Sequence, residues 1–416
     1  MKTLADIVAR NRAGEAVGIP SYCTAHPETL AAILGCYRDD TAPVLIEATC
    51  NQVNQSGGYT GMTPATFRVF VEGIAQAQGV NPGRLILGGD HLGPNPWKAE
   101  PAALAMEKAR AMVALYVQAG FTKIHLDASM RCADDAVLDE ATMAARAADL
   151  CAVAESTATG PLHYIIGTEV PVPGGETAAL DTLAVTTPEA ATRTHDLHAE
   201  AFAARGLNDA FLRVIGLVVQ PGVDFGNAQI FAYDPARASA LISATPADRI
   251  YEAHSTDYQT GSALSALVRG HFGILKVGPE LTFAFRQAVL ALEQLEQMLD
   301  LPAPSRLQQT LRQVMHDHPA QWRAYVAADA RERAMMIFGL SDRVRFYWPD
   351  PAVGAAVERL FKNIRHARPE PGLVAQVTGG LVQAHDAAHL PEHLPEHLIA
   401  RMVGAVVMKY RNATGG

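Results

Sequence analysis

Asp90 and His91 are neighbours at the end of an apolar run, Leu85–His91, and each brings a different chemistry. An imidazole is a ligand for a divalent cation, and a carboxylate beside it moves protons. Other polar residues end similar runs: Glu47 with Asn51 just after it, His125 with Asp127, Glu169, Gln220, His254 and Lys276. A catalytic divalent ion takes about three protein ligands and keeps one position open. His91 and His254 offer imidazoles, and Glu169 and Gln220 offer oxygens, so these four are the expected metal ligands. Such an ion polarises a carbonyl as a Lewis acid. Asp90 is then the expected carrier of a proton on an adjacent hydroxyl. Groups of this kind make or break a carbon–carbon bond by aldol-type chemistry, or enolise a ketone. Lys276 offers a different route, a Schiff base, but it is one lysine among many metal-type ligands.

These residues converge only if the elements carrying them are arranged around one rim. From residue 15 to about 285, short β-rich runs alternate with longer helical ones. The strand-like runs are Val17–Cys23, Pro43–Thr49, Leu85–His91, Lys123–Asp127, His163–Glu169, Val214–Gln220, Arg249–His254 and Phe272–Val277. Helical periodicity marks Pro64–Gln78, Ala102–Ala119, Asp135–Glu155, Thr187–Arg205 and Ser262–Arg269. Eight strands alternating with helices predict an α/β fold, a closed (β/α)8 TIM barrel, with a doubly wound open sheet as the competitor. In a barrel of this kind the strand carboxyl ends share one rim. His125 and Asp127 share a face because strand side chains alternate. From Leu281 onward no strand is evident, and Leu281–Leu299 opens a series of helices separated by proline-rich turns. The expected division is a barrel over residues 1–285 and a helical extension over 286–416. The extension is an expected contact for a homo-oligomer.

Composition narrows the class. Of 416 residues, 49% are hydrophobic and 19% charged, which is enough apolar content for a sizeable core. The net charge of -9 comes with no basic cluster, so nucleic acid is not an expected partner. The five cysteines include no Cys-x-x-Cys pair, which fits a reducing cytoplasm better than a disulfide scaffold. Cys50 and Cys132 read as small buried fillers. Met1–Asn11 has no apolar core of signal-peptide length, and no run is long and apolar enough to span a membrane. The glycine-rich stretch Gln55-Ser-Gly-Gly-Tyr-Thr-Gly61 lacks the Lys and Ser/Thr of a phosphate-binding P-loop, so it reads as a rim loop and not as a kinase signature.

At this point the motifs become specific. Gly88-Gly-Asp-His-Leu-Gly-Pro-Asn95, Lys123-Ile-His-Leu-Asp-Ala-Ser-Met130, Ile166-Gly-Thr-Glu-Val-Pro-Val-Pro-Gly-Gly-Glu176, Tyr251-Glu-Ala-His-Ser-Thr-Asp-Tyr-Gln-Thr260 and Ser341-Asp-Arg-Val-Arg-Phe-Tyr-Trp-Pro349 resemble the GatZ/KbaZ family over nearly the whole chain. That family is described as the non-catalytic subunit of class II tagatose-bisphosphate aldolase. Some members of the wider group are described as ketose C4-epimerases. The Asp-His pair is also similar to that of the catalytic class II aldolases. This implies Asp90 as acid/base, His91 and His254 as ligands, Glu169 near the metal, and Glu176 as a second acid/base on a loop. The resemblance implies a ketohexose or its phosphate as substrate, and a catalytic aldolase subunit as a partner. Glu47, Asn51, His125, Asp127, Ser255, Asp257 and Lys276 are the residues expected to face the sugar.

Two departures bear on the chemistry. Gln220 stands where those aldolases carry a histidine, and an amide oxygen is a weaker, harder ligand, which favours manganese or another non-zinc ion within the expected set of zinc, manganese and nickel. The loops Ser255-Thr256-Asp257 and Gly278-Pro279-Glu280 replace a glycine-rich phosphate cradle. Proline donates no N–H, and Asp257 and Glu280 repel an anion. Phosphate binding is therefore expected to be weak or relocated, which favours a free ketose, or a non-catalytic role, over cleavage of tagatose bisphosphate by this chain alone. Two readings stay open: a metal-dependent ketose 4-epimerase, and a helper subunit that stabilises and activates a separate aldolase chain.

Overall fold

The computed structural model describes residues 3–168, 183–389 and 391–416. Its strands are β1 (Ile19–Cys23), β2 (Val44–Thr49), β3 (Leu85–Leu92), β4 (Lys123–Leu126), β5 (His163–Ile166), β6 (Val214–Val219), β7 (Asp224–Phe225), β8 (Ile230–Phe231), β9 (Ile250–Ala253) and β10 (Phe272–Val277). β1 to β6, β9 and β10 pair in parallel in that order, and β10 closes onto β1. β7 and β8 are a short antiparallel hairpin in the loop after β6. The barrel strands are short, rich in Val and Ile, and buried on both faces; β6 and β10 are buried at every position. That is the pattern of a parallel sheet covered by helices. The closed (β/α)8 barrel expected from the sequence is what the chain forms.

The covering helices start where local signals place them. Thr63, Thr187 and Thr260 each accept a backbone N–H of the first turn of the helices Pro64–Ala77, Pro188–Ala203 and Gly261–Arg269. Proline occupies the first turn in two of these, where its missing N–H costs nothing.

Inside the barrel the side chains form layers. At the amino-terminal end Ile19, Leu45, Ile165, Ile215, Ile250 and Ile274 pack together, and the Leu4–Arg12 helix closes that end with Leu4, Ile7 and Val8. Each of these three buried side chains contributes roughly 1.5–3 kcal/mol. Asp6, Arg10 and Arg12 interrupt its apolar residues, so no apolar run marks this helix in the sequence. Above the apolar layer lies a charged one: Glu47, Lys123, Glu252 and Lys276. Above that is the rim.

One irregularity on β3 sets up the rim. Gly88 and Gly89 pair with Lys123 and Ile124, but the next pair is Leu92 with Leu126. Asp90 and His91 fall in the shifted stretch, and His91 has φ 50. Neighbours on a regular strand point to opposite faces. Here both Asp90 and His91 reach partners on the barrel axis. A left-handed histidine is uncommon and marks a backbone held in place by its surroundings. Just beyond it, a Cβ on Gly93 would lie 1.6 Å from the Asp127 carbonyl oxygen, so the chain passes β4 at a distance only glycine permits.

The Pro279–Met298 helix follows β10 directly, so residue 285, the expected boundary, falls inside it. Further helices include Leu307–Asp317, Pro351–Ala367 and Leu394–Ala413. The last returns to the barrel and packs on Pro27–Gly35, Gly261–Arg269 and Pro279–Met298. The Tyr410 hydroxyl donates to the Thr256 carbonyl over 2.7 Å. Between these helices the segment Ser341–Trp348 is pinned over the rim. Buried Asp342 meets Arg286 at 2.8 Å, and the Tyr258 hydroxyl donates to the Leu340 carbonyl at 2.5 Å. Cys50 and Cys132 are buried, as expected, and all five cysteines are free thiols. Among the described residues no helix is long and apolar enough to cross a membrane.

Candidate active site and metal centre

The charged layer beneath the rim is internally paired. Lys123 Nζ lies 2.6 Å from Glu47 and 2.7 Å from Glu252, and Lys276 Nζ lies 2.5 Å from Glu47. Unpaired, any of these buried charges would cost several kcal/mol. Gly88 makes room for the layer, since a Cβ there would sit 2.6 Å from Glu47 Cγ. Lys276 also reaches upward to Asp90 Oδ1 at 2.9 Å. Burial opposes the positive charge on Lys276, but Asp90, Cys23, Glu47 and Glu252 overcome it and hold the ammonium protonated.

On this floor stands a cluster of donors. Asp90, His91, His125 and His254 each present one ligand atom, all within 4.8 Å of one another and all buried. The far nitrogens are held. His91 Nδ1 is 2.8 Å from Asp127 Oδ2, and His254 Nε2 is 2.9 Å from Glu252 Oε1. Asp127 is itself fixed, because Oδ1 accepts the Ser129 N–H at 2.9 Å and hydroxyl at 2.6 Å. Carboxylates behind histidines fix the tautomer and raise ligand basicity. They engage His91 Nδ1 and His254 Nε2, so the other ring nitrogen of each is the one left for an ion. His125 Nδ1 is 2.9 Å from Asp90 Oδ1, and its Nε2 is buried with no hydrogen-bond partner among the described residues. Three imidazoles and a carboxylate suit a borderline divalent cation. The orphaned His125 nitrogen is what a bound ion would satisfy, so the residues fit a metal.

Electrostatics separate the roles. Burial pushes His254 down to about 3, despite the Glu252 hydrogen bond, so it is a neutral imidazole. Burial alone would raise Asp90, but the charges of His91 and Lys276 and the His125 hydrogen bond hold its carboxyl well below the usual range. With Oδ1 engaged by His125 and Lys276, Oδ2 remains, 3.6 Å from His91 Nε2.

Asp90, His91, His254 and Lys276 line a cavity of about 450 Å3 that opens at the carboxyl ends of the strands. This is room for one small ligand. Asn51, Ser255 and Asp257 also line it, as the sequence reading expects of substrate contacts. Ser255 has φ 53, a second left-handed residue on the rim.

Several expected contacts lie elsewhere. Glu47 has no exposed surface and is held in the layer below by two lysines. Asp127 backs His91 and does not line the cavity. His125, expected to meet sugar, stands in the metal-type cluster instead. Gln220, expected as a ligand, uses its amide oxygen to accept the Gly222 N–H at 2.8 Å and the Val223 N–H at 3.0 Å. Its side chain closes the turn after β6. Glu169 and Glu176 lie outside the described residues. Glu252 was missed, although its place two residues before His254 on β9 puts both on one face.

An eight-stranded parallel barrel with a histidine–carboxylate cluster at its carboxyl-end rim defines the class: a TIM-barrel protein with a candidate metal-assisted site. The family is defined by the whole length of the chain. It belongs to the D-tagatose-1,6-bisphosphate aldolase subunit GatZ/KbaZ-like family, whose model matches residues 4–415. The chain is 51% identical over 381 residues to the D-tagatose-1,6-bisphosphate aldolase subunit GatZ of Salmonella newport, covering 89% of this chain and 90% of that one. It is equally similar, over the same shares, to the protein of that name from Klebsiella pneumoniae. Its fold is also similar to a crystal structure titled a probable tagatose 6 phosphate kinase from Sinorhizobium meliloti 1021. That likeness has a TM-score of 0.87 and 46% identity, and covers 95% of this chain and all of that one.

Proposed function

We propose that the chain is itself an enzyme, a metal-dependent ketose 4-epimerase that works by retro-aldol cleavage and re-addition. The observation that carries this is Asp90 Oδ2 at the floor of the cavity, beside histidines whose far nitrogens are already held by carboxylates. A scaffold has no need of that preparation. His91, His125 and His254 would hold the ion, and a divalent ion there supplies Lewis-acid polarisation of the ketone at C2.

The chain's own residues do the rest. Asp90 Oδ2 takes the proton of the C4 hydroxyl while the C3–C4 bond breaks. The electron pair of that bond passes to the C1–C3 fragment, and C4 becomes an aldehyde carbon. Lys276 and His125 hold Asp90 Oδ1, so the carboxylate does not rotate as it gains and gives up the proton. Turning the aldehyde before the bond re-forms presents its other face, and Asp90 returns the proton to the new C4 hydroxyl. Asn51 and Ser255 line the cavity where sugar hydroxyls would lie.

A second reading has its own support. The curated relatives are named as subunits of D-tagatose-1,6-bisphosphate aldolase, which favours a helper role beside a catalytic aldolase chain. The deciding experiment uses purified protein without a partner, incubated with tagatose or fructose and their phosphates, plus manganese, nickel or zinc. Chromatography should show interconversion at C4. No conversion with any of these metals sinks the epimerase reading and leaves the helper.

A further inference from the structure

The cavity above the histidine cluster has a wall that the barrel does not supply. We propose that Arg343 and Arg345, on the rim segment of the carboxyl-terminal extension, form the binding site for the phosphate ester of a phosphorylated ketose. The proposal rests on the reading of this cavity as a ketose site.

The usual place for the anion is closed. At the start of the Pro279–Met298 helix, Asp257 Oδ1 accepts the Gly278 N–H at 3.0 Å and the Glu280 N–H at 2.8 Å. Those are the donors that a helix start offers to a phosphate, and the chain fills them with its own carboxylate. Glu280 adds a second acid there, held by Lys409 at 2.5 Å. Lys276, the cation of the floor, is bound to Glu47 and Asp90.

Arg343 and Arg345 both line the same cavity as Asp90 and His254. Phe346 lies between them, 4.4 Å from one guanidinium and 4.5 Å from the other, and Tyr325 lies 3.7 Å from Arg343. The aromatic rings hold two like charges side by side. Burial, and then the charge of Arg345, bring Arg343 down to about 9, and Arg343 Nε donates to the Gln321 carbonyl at 2.5 Å, which fixes the guanidinium on the cavity wall. Arg345 directs Nη1 to the Ser341 and Asp342 carbonyls. Its Nη2 and Nε have no hydrogen-bond partner, and no carboxylate lies within 4.0 Å of it, among the described residues. Asp342, the acid nearest in sequence, is taken by Arg286 at 2.8 Å. A guanidinium edge free on Nη2 and Nε is the two-pronged donor that matches a phosphate.

The test measures affinities by equilibrium dialysis on the full chain as purified, which a chain without turnover also answers. The probes are tagatose 6-phosphate, tagatose and inorganic phosphate. The phosphate ester should bind at least about 30-fold more tightly than the free sugar, two hydrogen bonds to a charged group being enough for that factor. Arg345→Gln should cut this ratio at least about tenfold, and Arg345→Lys should keep part of it. Inorganic phosphate should displace the ester and not the free sugar from the unaltered chain, a measurement that needs no variant. A ratio near one in the unaltered chain overturns the proposal, as does a ratio unchanged in both Arg345→Gln and Arg343→Gln. Failure of the epimerase assay with the ratio intact leaves the anion site standing.

Discussion

Asp127 Oδ2 lies 2.8 Å from His91 Nδ1, across the gap between β4 and the irregular end of β3. This contact orients the ring of a residue whose own backbone is left-handed. It decides which His91 nitrogen faces the cavity. Removing it should weaken metal binding without touching the cavity wall. Asp127→Asn is expected to lower metal affinity about 10–100-fold, read by competition against a chelator. An affinity equal to that of the unaltered chain refutes the role.

Asp90→Asn keeps the side-chain shape and removes the charge that accepts the proton. Conversion at C4 should fall by roughly 10²–10⁴. Metal content, measured by atomic absorption after dialysis, should be retained if the three histidines hold the ion. Loss of the metal along with the activity would instead place Asp90 among the ligands.

Lys276 is fixed between Glu47 and Asp90 at 2.5 and 2.9 Å. A lysine so paired is not a free amine. Borohydride treatment in the presence of ketose should give no adduct by mass spectrometry, and a trapped adduct on Lys276 would establish a Schiff base. Lys276→Met should be destabilising by about 3–5 kcal/mol, because it leaves buried carboxylates uncompensated. Denaturant titration reads this directly.

Asp257 gives a pH signature. Its carboxyl is pushed up to about 7, first by burial and then by the charge of Glu280, with Tyr258 and Tyr410 also packed nearby. The folded value is above the ordinary one, so the native state holds the proton more tightly than the unfolded chain. The stability it contributes is complete below about pH 4 and is lost as pH rises through about 7. Asp257→Asn keeps an acceptor oxygen and does not ionise. Its Tm relative to the unaltered chain should therefore rise from about pH 5 to about pH 8. A difference that stays constant over that range refutes the assignment.

Much of this architecture is legible in the sequence, for identifiable reasons. Val214–Val219 is a continuous apolar run, and Phe272–Val277 is apolar except for Lys276, because both faces of a barrel strand are covered. His125 and Asp127 follow the two-residue period onto one face. The failures are physical as well. Glu47 reads like a rim acid, but only the lysines from β4 and β10 show that it lies one layer deeper. Gln220 reads like a ligand, but its short loop back to Gly222 and Val223 takes the oxygen first. The β3 irregularity leaves no mark in an apolar run, though two glycines precede it. Arg343 and Arg345 meet the cavity through contacts across most of the chain, which no local pattern reports.

The final helix has a consequence for how the protein is made. Leu394–Ala413 packs on the Pro27–Gly35 helix near β1, and Tyr410 reaches the loop after β9. The Leu394–Ala413 helix therefore leaves the ribosome after all eight barrel strands, yet it covers a helix made just after β1. Until it arrives, the Pro27–Gly35 helix lacks part of its cover. A nascent chain stalled late in synthesis carries every residue of the histidine cluster and still exposes an apolar flank. Exposed surface of this kind favours aggregation and chaperone capture. Removing the Leu394–Ala413 helix should thus be felt first in soluble yield, before it is felt in chemistry.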